Sequence, residues 1–220
     1  MIKLKHLNIK IPKNYVLIEV IDDTDYATIG DLNIQIGKTY LGDKYNEGLY
    51  SVRRGYLIAM PNKIDYSEAG TPWINDVRPD IGDVVYFEYL TGKTSTHCEY
   101  GGNIYYILPY RSLVLSLNAE MDTNTIQMLN GFIMAKNMLK QRSSELEIKD
   151  TYYDDRYEIL RIGEPNRDYL DGLIDDDSIK VGDKVITRFK HYQELEPKYQ
   201  CRLDGNYYIY FQRKEIIGIL

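Results

Sequence analysis

The sequence predicts an all-β chain made of two small β-barrels in tandem, and three observations carry that prediction. First, blocks recur in one order. Ile81-Gly-Asp-Val-Val-Tyr-Phe87 answers to Val181-Gly-Asp-Lys-Val-Ile-Thr-Arg-Phe189, and Gly102 to Ile107 answers to Gly205 to Tyr210. Arg111 to Leu115 answers to Lys214 to Gly218, Arg54 to Met60 to Arg156 to Ile162, and Val16-Leu17-Ile18 to Phe132-Ile133-Met134. Such a period is too long for a solenoid and suits two small domains. Second, the recurring blocks alternate apolar and polar residues and are rich in β-branched and aromatic types, the pattern of half-buried strands. Third, Gly-Asp pairs punctuate them, glycine supplying a positive φ and aspartate a bond to nearby backbone, while helical periodicity is weak.

In order along the chain, the leader 1–13 places Ile2, Leu4, Leu7, Ile9 and Ile11 among lysines. That spacing fits an added edge strand better than the stripe of a membrane-surface helix. Strands are expected at 15–21, 55–60, 83–89, 103–108 and 113–117, forming a first barrel over 14–117. Residues 118–129 read as a linker or a short turn of helix, with Met128 and Leu129 placed against the second barrel. That barrel, 130–220, repeats the strands at 131–136, 157–162, 184–189, 206–211 and 215–219. Short strands and Gly-marked turns argue a small closed or nearly closed barrel per copy.

Composition narrows the function. At 220 residues and 44% hydrophobic content the chain fills two modest cores, each marginal without a neighbour, so assembly is expected. A formal net charge of -6, with both signs interspersed, disfavours a basic groove for nucleic acid. No apolar run is long enough to span a membrane and the N-terminal residues lack a secretory signal, so a cytoplasmic location is expected. Cys98 and Cys201 occupy equivalent places in the two copies, too far apart for a bridge if each copy is a separate barrel. They have no partner ligands at metal spacing, so no metal or cofactor is expected, and the two read as strand residues packing as small hydrophobes. His6, His97 and His191 are scattered, no Ser/His/Asp set is evident, and a non-catalytic protein is expected. Tyrosine is the outlier, with 22 residues against 4 phenylalanines and 1 tryptophan. It suits both half-buried strands and protein interfaces, and Tyr152-Tyr153, between matched blocks, reads as contact surface.

Each copy carries a long polar excursion between its first two strands, and the first is longer by about 14 residues. Loops of this length are commonly functional. Each holds an apolar island. Leu32-Asn33-Ile34-Gln35-Ile36 reads either as a strand covering its own barrel or as a partner contact; Leu146-Glu147-Ile148 reads better as an apolar plug offered to a partner.

The order of strand, long loop, Arg156-Tyr-Glu-Ile-Leu-Arg-Ile-Gly163 and Ile179-Lys-Val-Gly-Asp-Lys-Val185 resembles the GroES-like co-chaperonins. Gly205 to Leu220 resembles the closing hairpin and final strand of that family, and the first copy retains Arg54-Gly55 and Ile81-Gly82-Asp83. Pro61 stands where the family usually has glycine. The resemblance spans nearly everything from Tyr15 onward. It implies an irregular barrel per copy, assembly into a ring, and contact with a chaperonin through a hydrophobic tripeptide on a mobile loop, near which Leu146, Glu147 and Ile148 fall. The leading expectation is therefore a co-chaperonin-like module, homo-oligomeric and multivalent. The alternative is a bacteriophage virion protein, an auxiliary capsid or tail component built on the same fold.

Overall fold

The structure is a computed structural model that describes residues 11–21, 26–29, 32–35, 52–62, 64, 77–88, 96–140, 152–163, 178–188, 200–203 and 206–220. The strands are β1 (Tyr15–Val20), β2 (Tyr26–Ile29), β3 (Leu32–Gln35), β4 (Val52–Ala59), β5 (Val84–Glu88), β6 (Thr96–Tyr100), β7 (Asn103–Pro109) and β8 (Leu113–Leu117). They continue as β9 (Gln127–Met128), β10 (Phe132–Leu139), β11 (Tyr152–Ile162), β12 (Lys184–Thr187), β13 (Gln200–Leu203), β14 (Asn206–Gln212) and β15 (Ile216–Ile219). Among the described residues there is no α-helix; 3-10 turns at Tyr110–Ser112, Thr123–Thr125 and Arg213–Glu215 connect strands. The described part of the protein is all-β, and its ladders are antiparallel.

One sheet runs β6-β7-β1-β4-β5-β8-β9 and a second runs β13-β14-β10-β11-β12-β15. Strand for strand the second has the order of the first without β9. The match extends to irregularities. The β1–β4 ladder skips Ile58 between the pairs Leu17↔Ala59 and Ile18↔Leu57, and the β10–β11 ladder skips Leu160 between Met134↔Arg161 and Ala135↔Ile159. Such bulges bend a sheet and increase its twist.

These registers correct one sequence match. Val16 lies opposite Leu108 and Ile133 opposite Phe211, so Val16-Leu17-Ile18 corresponds to Ile133-Met134-Ala135, one residue later than the apolar runs alone suggest. A run of consecutive apolar residues carries no phase, and a slip of one leaves it apolar. Gly131 is also not strand: at φ 72 it occupies the turn before β10.

A staple is built twice around each bulge. Gly82 at φ 102 and Gly182 at φ 92 hold left-handed turns. Gly82 N–H donates to Leu57 O at 2.8 Å and Leu57 N–H to Asp83 O at 2.8 Å. Gly182 N–H likewise donates to Ile159 O at 2.8 Å, and Ile159 N–H to Asp183 O at 2.9 Å. The aspartates close their own turns, Asp83 Oδ2 accepting from Asp80 N–H at 2.9 Å and Asp183 Oδ2 from Lys180 N–H at 2.7 Å. The Gly-Asp pair thus ties the start of β5 or β12 to the bulged strand beside it.

Each large sheet has its own core. Val16, Ile18, Leu57, Val85, Phe87 and Leu108 anchor the first, and Ile133, Ala135, Ile159, Val185, Phe211 and Ile216 the second. Leu129, expected in the second barrel, is buried in the first core, and Met128 adds β9 to the first sheet. The linker's far end therefore belongs structurally to the preceding repeat.

Removing a turn carboxylate should loosen the staple. Asp183→Ala is expected to lower unfolding free energy by about 1 kcal/mol, and Asp183→Asn, which keeps an acceptor, to recover most of it in urea melts. Burial holds the Asp83 carboxyl above its ordinary value of 3.8, the Asp80 backbone N–H opposing and the Asp80 charge adding. The folded chain binds this proton more tightly than the unfolded chain. Asp83 is therefore most favourable at and below pH 3.8, and that contribution is lost as pH rises through the raised folded value. Asp83→Asn is expected to gain stability relative to the parent across the same rise, read from urea melts as a function of pH.

Candidate partner-binding surfaces

Both excursions leave the scaffold at corresponding points, between β1 and β4 and between β10 and β11. Within the first, Leu32 and Ile34 lie on β3, opposite Ile29 and Ala27 of β2, in a two-stranded sheet separate from the two larger ones. Ile36 and the whole of Leu146, Glu147 and Ile148 lie outside the described residues.

The base of the second excursion is well defined. β10 and β11 run on as a ribbon to the pair Leu139↔Tyr152, where Leu139 is exposed. The Arg156 guanidinium carbon lies 4.3 Å from the Tyr153 ring centroid, and Lys140 Nζ lies 5.7 Å from the same ring. Asn137 Nδ2 donates to Tyr153 O at 3.4 Å, across the ribbon. Tyr153 is thus a fixed, half-buried aromatic post flanked by cations, an arrangement worth about 0.5–1 kcal/mol per cation at a partly exposed site. The polar tyrosine pair singled out in the sequence is the root of the loop rather than its tip.

One surface the sequence did not reveal is internal. Val84 and Tyr86 of β5 and Leu115 and Leu117 of β8 form one apolar cluster with Phe132 and Met134 of β10, Leu203 of β13 and Tyr210 of β14. The outer face of the first sheet is therefore packed against the outer face of the second. Phe132 and Tyr210 meet edge to face at 5.8 Å. Along the seam β9 pairs with β8 through Leu115↔Met128 and Ser116↔Gln127, and Leu129 N–H donates to Val114 O at 2.9 Å. Asn130, buried and left-handed at φ 55, donates from Nδ2 to Tyr110 O and to Leu113 O, both at 2.8 Å. A signal for this seam was present in the sequence: Leu113 to Leu117 and Phe132 to Ala135 are nearly unbroken apolar runs, the mark of strands covered on both faces.

Of the histidines and cysteines singled out in the sequence, His6 and His191 lie outside the described residues. His97 packs edge-on against Tyr106 at 6.0 Å. Cys98 is a free, half-buried thiol opposite Tyr105, and Cys201 sits opposite Tyr208 at the equivalent register. Asn103 Nδ2 donates to Glu19 Oε1 at 2.6 Å, joining β7 to β1. Among the described residues no group of three His, Cys, Asp or Glu side chains is placed to hold a metal ion, and no helix is long and apolar enough to cross a membrane. No protein-family model matches the chain, and comparison with curated proteins gives no significant match.

The Asn130 clamp gives a direct test of the seam. Asn130→Gly keeps the left-handed backbone and removes both bonds to buried carbonyls. A loss of about 1–3 kcal/mol in unfolding free energy is expected. Increased amide exchange in β8 and β9 should accompany it.

Proposed function

We propose that the chain is a non-catalytic, multivalent protein-binding module of GroES-like type, a duplicated co-chaperonin-like protein that docks on a chaperonin ring through its excursions. The observation that carries this reading is the shared strand order of the two large sheets, with a long excursion at the same point of each. Two irregular barrels in tandem, 14–117 and 130–220, are part of the proposal. The apolar islands Leu32-Ile34-Ile36 and Leu146-Ile148 are its contact residues, with Glu147 between the latter pair. A rigid scaffold bearing two long loops meets the need of such contact. Each loop supplies modest affinity, and joining them raises the apparent affinity through effective concentration.

A virion structural role, as an auxiliary capsid or tail component, is the second reading. The tyrosine load and the acidic centre of the Leu146-Glu147-Ile148 island favour it. Cosedimentation with a chaperonin, with and without ATP, separates the two, since nucleotide-dependent capture belongs to the first alone.

Burying Leu146 and Ile148 at an interface is worth about 1.5–3 kcal/mol each. The double variant Leu146→Ser/Ile148→Ser is therefore expected to lose most cosedimentation while its thermal midpoint stays nearly unchanged. A drop in midpoint with binding retained would place both residues in a core.

A further inference from the structure

The turn that leads from the seam into β10 is made of the chain's one Asn-Gly pair, Asn130-Gly131. Phe132 N–H donates to Leu129 O at 2.9 Å across it, and Asn130 at φ 55 and Gly131 at φ 72 are both left-handed, the two-residue turn that Asn-Gly favours. Asn-Gly is also the pair most prone to deamidation, because a glycine has no side chain to keep its backbone nitrogen from the amide before it. By the registers of β1 with β7 and β10 with β14, the corresponding turn of the first repeat is Lys13-Asn14. It closes through Tyr15 N–H to Pro12 O at 3.1 Å, and a bulky Tyr15 follows its asparagine. The labile pair therefore belongs to the seam.

Folding withholds this pair from reaction. Asn130 is 2% exposed and Gly131 is buried, so neither water nor base reaches them. Asn130 Nδ2, the atom that deamidation expels, donates to Tyr110 O and Leu113 O at 2.8 Å each. The Tyr110 carbonyl is itself fixed: Tyr110 N–H donates to Asn14 O at 2.8 Å, and Tyr110 O also accepts from Leu113 N–H in the 3-10 turn. The atom that clamps the seam is thus the atom that the chemistry removes.

We propose that Asn130-Gly131 is a deamidation site gated by the seam between the repeats, closed to reaction while the seam is packed and open to it once β9 and the start of β10 leave β8. On opening, the Gly131 nitrogen loses its proton to solvent base and attacks Asn130 Cγ. The Cγ–Nδ2 bond breaks, Nδ2 takes a proton from water and leaves as ammonia, and a cyclic imide remains. Water then adds to one imide carbonyl and breaks its bond to nitrogen, which leaves an aspartyl residue or its β-linked isomer. The net change is water consumed and ammonia released, with nothing oxidised or reduced.

Neither product closes the seam as the amide does. A carboxylate at this place faces Tyr110 O and Leu113 O with no hydrogen to give, a buried charge set against two acceptors. The β-linked isomer adds a carbon to the backbone of a two-residue turn and shifts Phe132 away from Leu129 O. The reaction makes opening one-way: a chain that stays open long enough is marked, and Leu115, Leu117, Phe132 and Met134 lose their shared cover. The inference rests on the internal seam and not on the chaperonin reading, so either can fail alone.

The test follows the peptide that contains Asn130 by mass spectrometry, with isoaspartate read by enzymatic methyl transfer, in the full chain at mildly alkaline pH. In unfolding urea the peptide is expected to convert, and Asn130→Gly to abolish that conversion. In native buffer the parent is expected to convert at least about a hundredfold more slowly, the mark of a site reached only through opening. Leu117→Ala, which removes seam packing on β8, is expected to speed conversion in native buffer by about tenfold and to leave the rate in urea unchanged. Equal rates for the parent in buffer and urea overturn the proposal, and so does a Leu117→Ala chain that converts no faster than the parent in buffer. If circular dichroism shows Leu117→Ala unfolded, Leu117→Val takes its place with the same two outcomes. Asn130→Asp, which installs the aspartyl product, is expected to show amide exchange in β8 and β9 at least as fast as Asn130→Gly. Exchange as slow as in the parent overturns the one-way character of the step.

Discussion

The architecture depends on two strands that are buried on both faces. Every residue of β8 is inaccessible, and so are Phe132, Ile133, Met134 and Ala135 at the start of β10. A strand in that position faces its own core on one side and the neighbouring repeat on the other. Val16, Val85 and Leu108 hold the first core together, but Leu115, Leu117, Phe132 and Met134 belong to neither repeat alone. Small sheets of this size bury too little surface to be comfortably stable singly. Sharing a wall gives both a second face, and the cost is that neither repeat is an independent unit: separating them exposes a continuous apolar surface, not a polar linker.

Around that wall the two repeats keep one backbone plan with different side chains. Gly55 pairs with Val85 on β5, and its counterpart Tyr157 pairs with Val185 on β12. A Cβ at Gly55 would overlap Glu19 O and the Ile18 side chain, so β1 and β4 run too close for anything larger there. The first core places Phe87 on β5, edge-on to Tyr106 at 6.1 Å, beside a buried Tyr110; the second has Thr187 in place of Phe87 and buries Tyr157, 5.6 Å from Phe211. The loss of one aromatic side chain on β12 is thus accompanied by the gain of another on β11, the kind of compensated change cores tolerate best. What the two copies cannot vary is the staple, since a left-handed turn at Gly82 or Gly182 anchors the bulge that bends each sheet.

This division explains what the sequence made legible. The principal strands were readable to within a few residues because β-branched and aromatic residues between Gly-marked turns leave little choice, and Gly82-Asp83 and Gly182-Asp183 do what turn chemistry requires. β6 and β13 were absent from the expected strands, although Cys98 and Cys201, read as strand residues, lie on them. Thr96 to Tyr100 presents exposed or half-exposed side chains along its length, so it has no alternation to detect. β9 was missed because a two-residue strand has no period, and its partner β8 supplies the reason for its existence. The match of Val16 with Phe132 slipped by one for a related reason: a strand buried on both faces loses the alternation that would fix its phase. Of the candidate contact residues, Leu32 and Ile34 fall on a hairpin. The sequence signalled the apolar run of β15, whose Ile217 and Ile219 are exposed where Val114 and Ser116 of β8 are buried.

An ordered seam has a consequence that a flexible linker would not. With β9 stitched to β8 and Asn130 bonded to two carbonyls of the first repeat, the points from which the excursions depart, Val20 and Leu139, are held by sheet rather than by tether. Two loops on a flexible tether gain apparent affinity in proportion to how often they find both sites; two loops on a rigid wall gain only if the sites match their spacing, and then gain more, because little freedom is left to lose. Duplication with a buried seam therefore trades tolerance for selectivity. On the proposed reading, a partner would have to present its own sites at the spacing fixed by β8 and β10.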